Sequence, residues 1–85
     1  MILVTCLGHI GTSLGRKEVE LDAIELGAAE LVERLRNLSG KVDPGFTQFN
    51  TLVMVGDGEA FVPAGADRRV RSGERVVLIP FSHGG

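Results

Sequence analysis

Arg71-Ser72-Gly73-Glu74-Arg75-Val76-Val77-Leu78-Ile79-Pro80 leads directly into Phe81-Ser82-His83-Gly84-Gly85, and this stretch decides the fold. A turn built on Gly73 and Glu74 feeds a run of β-branched and apolar side chains. Such residues suit a pleated surface, so Arg75 to Ile79 is read as a strand buried on both faces, or buried on one and sticky on the other. Pro80 fixes its own φ and has no N–H to give, so it is read as the end of sheet pairing. Residues 80–85 then form a tail with two terminal glycines.

Working back towards the N-terminus, Ile2-Leu3-Val4-Thr5-Cys6-Leu7 is a short run of strand formers closed by Gly8. Lys17-Glu18-Val19-Glu20-Leu21 alternates polar and apolar with period two, as a half-buried strand does. The two runs are expected to pair as a hairpin. Gly8, Gly11 and Gly15 punctuate its long connection, which is read as a flexible loop; His9 lies within it, without the lysine or the spacing of a phosphate-binding loop.

Asp22-Ala23-Ile24-Glu25 has the form of a capping box. The helix expected to follow places Ile24, Ala28, Leu31, Leu35 and Leu38 on one face, with a Glu30–Arg34 pair on the other and Ser39-Gly40 as its stop. Gly27 is a weak point in that helix, whose first turn is irregular or begins later. Lys41 to Asn50 has no clean periodicity and reads as a connection with an irregular edge segment. Thr51-Leu52-Val53-Met54-Val55 and Glu59-Ala60-Phe61-Val62 are strand-like runs around the turn Gly56-Asp57-Gly58. Pro63 to Asp67 reads as a loop. The expected order is β-β-α-β-β-β, an α+β fold in which a mixed sheet covers one helix.

Eighty-five residues, 44% of them apolar, suffice for one domain spanning 1–85 with a single core. A cleft lined by converging polar groups would consume core that so short a chain needs, which favours a carrier or binding module over an enzyme with catalytic residues of its own. A net charge of -2 argues against direct nucleic-acid binding. The charge is uneven: residues 1–63 hold five basic and nine acidic side chains, whereas residues 64–85 set Arg68, Arg69, Arg71 and Arg75 against Asp67 and Glu74. That basic segment is read as a solvated loop, or as a docking surface for an acidic partner. The single cysteine, Cys6, excludes an internal disulfide and any multi-thiolate metal site, and fits a reducing cytoplasm. It is read as a small buried hydrophobe. No run is long enough to cross a bilayer, so no membrane association is expected.

The order of elements, the Arg71–Arg75 turn, the Val76–Pro80 strand and Gly84-Gly85 together resemble the MoaD/ThiS sulfur carriers, which have the β-grasp fold of ubiquitin. The resemblance spans essentially the whole chain and is most specific over its last thirteen residues. It implies that the partner is an E1-like adenylating enzyme, which uses ATP to convert the Gly85 carboxylate to an acyl adenylate. A sulfur donor then displaces AMP and leaves a C-terminal thiocarboxylate, and a sulfur-accepting synthase subunit receives the sulfur. No bound cofactor or metal is expected. A carboxylate is a poor electrophile and needs such a leaving group before sulfur can attack it. Glycine at 84 and 85 leaves no side chain to obstruct a narrow channel.

Many carriers of the molybdopterin branch have a second proline and small residues before the glycines, where this chain has Phe81, Ser82 and His83. The His-Gly-Gly ending is closer to the eukaryotic ubiquitin-related modifier that serves tRNA thiolation, so molybdopterin-type, thiamine-type, tRNA and cysteine-pathway acceptors all stay open. His83 is read as a contact only. Two other roles stand beside the carrier: a protein modifier joined to lysine through Gly85, and a β-grasp interaction domain with an inert tail. The lone Cys6 excludes a ferredoxin on the same fold.

Period-two alternation also assigns faces. If Ile2, Val4 and Cys6 point to the helix, then Leu3 and Leu7 point away; Val76 and Leu78 join the core, leaving Val77, Ile79 and Phe81 outward. The resemblance implies that partners dock on that outer face, near Leu7, Ile79, Phe81 and Phe61.

Overall fold

Alternation along the first strand is realised residue by residue. In a computed structural model that describes residues 1–41 and 45–81, β1 (Ile2–Cys6) buries Ile2, Val4 and Cys6 and leaves Leu3 and Thr5 half-buried on the other side. β2 (Glu18–Leu21) pairs antiparallel with it, Ile2 opposite Leu21 and Thr5 opposite Glu18, and buries Val19 and Leu21. The last strand, β7 (Arg75–Pro80), lies parallel to β1 on its other flank and buries Val76 and Leu78. Antiparallel to β7 runs β4 (Thr51–Gly56), followed by a short edge strand, β5 (Phe61–Pro63). The five-stranded sheet has the order β2-β1-β7-β4-β5, with the most apolar strand at its centre. A central strand loses solvent from both neighbours, which is why the continuous apolar run belongs there.

Three further elements complete the chain: a short helix α1 (His9–Leu14), a main helix α2 (Ala28–Leu38), and a two-stranded ladder of β3 (Glu25–Gly27) with β6 (Arg69–Arg71). Ala28, Leu31, Val32 and Leu35 of α2 are buried in the same core as Ile2, Val4, Val53, Val55, Val76 and Leu78. Each such Val, Ile or Leu contributes about 1.5–3 kcal/mol by leaving water.

The expected helix start is displaced. Residues 22–25 do not cap a helix, because Glu25 and Leu26 are taken into β3, where they pair with Arg71 and Val70. Ile24 is 87% exposed, and α2 begins only at Ala28. Gly27, expected to weaken the helix, stands at its N-cap in extended conformation, and its N–H donates to Glu30 Oε1 at 3.2 Å. Glu30 therefore hydrogen-bonds to the helix start and to Arg69, and the expected Arg34 acts on it through charge attraction. Of the expected stripe Ala28, Leu31 and Leu35 are buried, whereas Leu38 is exposed and Val32 takes a core position.

The glycine-punctuated connection after β1 is a helix and not a flexible loop. Ile10 is fully buried and anchors it. Gly11 is what lets it lie so close to β1: a Cβ there would sit 2.8 Å from the Cys6 carbonyl oxygen, a distance that real side chains do not reach. Within the connection before β4, Phe46 is fully buried, and no strand forms among the described residues of that segment. Its turn is closed by Asn50, whose Oδ1 accepts the Thr47 N–H at 2.7 Å.

The basic segment is not simply a solvated loop. It contains β6, and Arg68, Arg69 and Arg71 have acidic partners in this same chain. Arg68 pairs with Glu74 at 3.1 Å, Arg69 with Glu25 at 3.1 Å and Glu30 at 3.0 Å, and Arg71 with Glu25 at 3.2 Å.

Candidate functional site

Two features were expected to matter, the tail and the outer sheet face. Ser82, His83, Gly84 and Gly85 lie outside the described residues. What is described is where the chain delivers them. Pro80 is the last residue of β7, opposite Thr51, and Phe81 N–H donates to the Asn50 carbonyl at 3.0 Å. Sheet pairing thus continues one residue past Pro80 instead of ending there. The reason lies in the antiparallel ladder: Asn50/Phe81 is a hydrogen-bonded pair, so the adjacent Thr51/Pro80 pair is non-bonded, and the missing proline N–H removes no rung. On its other side Pro80 lies against Gly8, where a Cβ would come within 3.0 Å of the proline Cγ. Gly8 has φ 57, left-handed backbone that also favours glycine. The chain is therefore held by β4 on one side and the Gly8 turn on the other up to Phe81.

The outer sheet face is the side away from α2. The ladder registers align Glu18, Thr5, Val77, Met54 and Pro63 in one row, and Glu20, Leu3, Arg75, Gly56 and Phe61 in the next. Ile79 lies opposite Leu52, and the β1–β7 register carried one residue further sets Leu7 beside Ile79, consistent with the Leu7 N–H donating to the Leu78 carbonyl at 3.0 Å. Leu7, Val77, Ile79 and Met54 are half-buried, and Leu52 and Phe81 are exposed. The main helix α2 packs on the opposite face.

Of the residues singled out from sequence, Leu7, Ile79 and Phe81 come together at the end of the sheet where the tail leaves. Phe61 does not join them. It lies across from Gly56 and Arg75, four residues back along β7 from Ile79, or about 13 Å at strand spacing. Three apolar residues at this end were missed: Leu52, Met54 and Phe49. Leu52 and Met54 carry a findable signal, because they alternate with Val53 and Val55, which are buried. Phe49, 73% exposed, sits in the turn before β4 and has no periodicity to betray it.

Among the described residues neither nucleophile nor ligand set is gathered around this face. Cys6 is buried, and burial pushes its thiol up to about 11, so it is protonated at neutral pH. His9 Nε2–H donates to the Gly45 carbonyl at 3.2 Å and ties α1 to the connection before β4. Among the described residues no group of three or more His, Cys, Asp or Glu side chains could hold a metal ion, and no helix is long and apolar enough to cross a membrane.

No family model matches the chain, and no curated protein matches it. Among solved structures it is similar to SAMP1 from Haloferax volcanii, with a TM-score of 0.69 and 16% identity over 99% of this chain and 98% of that one. At that identity the likeness speaks for the fold, and it does so over the full length. The chain has the ubiquitin-like β-grasp fold, a mixed five-stranded sheet around one main helix, and its resemblance to the MoaD/ThiS proteins holds at that level.

Proposed function

We propose that this chain is a carrier whose working group is its own C-terminus. An E1-like enzyme adenylates the Gly85 carboxylate with ATP, releasing pyrophosphate; a sulfur nucleophile then displaces AMP to leave a thiocarboxylate, which a synthase subunit consumes. The observation that carries this reading is the course of β7. The central strand runs from the core straight to Phe81, flanked by a partly exposed apolar face, so a partner seated on that face would meet Gly84 and Gly85 within a few residues of sequence. An exposed apolar patch on so small a protein usually marks an interface. The chain supplies a positioned end and a docking surface, while the partner supplies ATP and the catalytic groups. Conjugation of Gly85 to a lysine shares the first step and differs only in the final acceptor. A molybdopterin precursor, a thiazole precursor and tRNA are the acceptors that the tail residues leave open.

Removal of Gly84 and Gly85 is expected to abolish ATP-pyrophosphate exchange by the E1-like enzyme of the same host, with the thermal melt unchanged because the elements of the described residues all lie within 2–80. Normal exchange by the truncated chain would sink the proposal. In an intact-mass spectrum from the native host, replacement of one oxygen by sulfur supports the carrier, and high-mass conjugates support the modifier.

A further inference from the structure

The outer face is not uniform, and its asymmetry describes the partner. At the tail end it is apolar and extends beyond the sheet: Ile79, Leu52 and Leu7 continue into Phe81, and the Phe81–Asn50 bond brings that residue beside the turn carrying Phe49. Three strand spacings away from β4, about 14 Å, lies the opposite border on β2. There Glu18 and Glu20 project on the same face, opposite Thr5 and Leu3, and both are exposed. No ion pair forms to either carboxylate among the described residues, although every arginine of the β6 segment from Arg68 to Arg71 has one. The cation in their row, Arg75, is turned away: its guanidinium lies against Gly58 at the β4–β5 turn. Several other acids also lack an ion pair; what distinguishes Glu18 and Glu20 is their place, exposed on the same face as the apolar end and at its far border.

Resting on the carrier reading above, we propose that the docking surface is two-ended and fits an adenylating enzyme whose own surface is apolar at one end and cationic at the other. The apolar end seats Phe49 and Phe81 with Ile79, and the cationic end faces Glu18 and Glu20. Such polarity does what an apolar patch alone does not. It fixes the rotation of the chain on its partner, and so the direction in which the tail enters the partner's active site. Opposed charges at the border act mainly on the encounter rate, whereas the buried apolar end acts on residence time.

The test is association kinetics of the full chain with the E1-like enzyme of the same host, at 50 and 500 mM NaCl. Glu18→Lys/Glu20→Lys is expected to lower the association rate about tenfold at low salt, with the difference vanishing at high salt. Phe49→Ala is expected to raise the dissociation rate about tenfold. Thermal melts show that each variant is folded. Unchanged rates for these variants, with binding lost in Ile79→Asp, overturn the two-ended surface and leave the carrier reading standing. If Ile79→Asp also binds normally, or the unaltered chain does not bind, both fall. Concentration-dependent dimerisation that Phe49→Ala abolishes would instead assign the apolar end to a second copy of this chain, and overturn the inference.

Discussion

Leu78 and Ile79 are neighbours in one strand, of nearly the same size, yet they are held by different things. Leu78 is fully buried between β1, β4 and α2, and its environment is made entirely by this chain. Ile79 is half-buried on the other side of the sheet, away from α2. The inner face is closed by the core, and the outer face keeps apolar side chains partly open to solvent among the described residues. The difference separates residues that make the fold from residues the fold makes available.

The largest expected effects come from exchanging those roles. Leu78→Ala leaves a cavity in the core and is expected to cost about 2–5 kcal/mol. In a domain of this size each kcal/mol lowers the melting temperature by roughly 4–8 °C. Ile79→Asp is expected to cost no more than about 1 kcal/mol in stability, the span of strand propensities. Yet it should weaken binding to the E1-like partner by about 30-fold or more, as an unpaired charge is desolvated at the centre of the interface. Leu7→Asp should behave like Ile79→Asp. Denaturant titration and calorimetric binding of the same variants decide the matter: a stability loss in Ile79→Asp equal to that of Leu78→Ala would erase the distinction between the faces.

An intermediate effect tests how the tail end of the sheet is built. Gly11 permits the close approach of α1 to β1, and α1 in turn follows the Gly8 turn that lies against Pro80. Gly11→Ala forces a Cβ against the Cys6 carbonyl and is expected to cost about 1–3 kcal/mol. Because the strain falls next to Pro80, amide chemical shifts of Leu7, Gly8 and Phe81 should move while those of α2 stay. A variant as stable as the unaltered chain, with shifts unchanged, would show that α1 does not hold the exit.

These contrasts also explain what the sequence made legible. Strands with a wet side and a dry side announce themselves, and the alternation of Ile2, Val4, Cys6, Val76 and Leu78 assigned both faces of β1 and β7 correctly. The elements misread were those whose formation depends on distant residues. Glu25 and Leu26 have a helix-compatible local pattern, but they pair with Arg71 and Val70, forty-odd residues away, and that pairing overrides the capping box. The glycines around Ile10 suggested a loop, because a glycine chosen for close packing looks locally the same as one chosen for freedom. Phe46 was missed because a single buried anchor in an irregular segment has no period. Alternation also placed Leu7, Ile79 and Phe81 on the outer face, where the structure has them. Phe49 was invisible, since only the turn that ends at Asn50 brings it beside Phe81.

The smallest expected effect belongs to the other exposed region, the ion pairs around β3 and β6. Glu30 is held below the usual carboxylate range, first by the Gly27 N–H and then by Arg69; Glu74 is held down by Arg68 and by the Arg71 N–H. A carboxyl whose pKa is lower folded than unfolded contributes stability above its unfolded value, about 4.3 for glutamate, and loses it as pH falls through the folded value. The melting temperature is therefore expected to be flat from pH 7 to about pH 5 as far as these groups are concerned, and to decline below the ordinary glutamate pKa. Solvent screens exposed pairs of this kind, so the decline should be shallow and should shrink in high salt. The double variant Glu30→Gln/Glu74→Gln should start slightly less stable at neutral pH and show a flatter acid limb. The outer face should not respond, and binding measured above pH 6 should be the same for this variant as for the unaltered chain. An acid limb as steep in the double variant as in the original would mean that these ion pairs do not hold β6 in place. A loss of partner affinity would mean that the region judged self-sufficient is part of the interface after all.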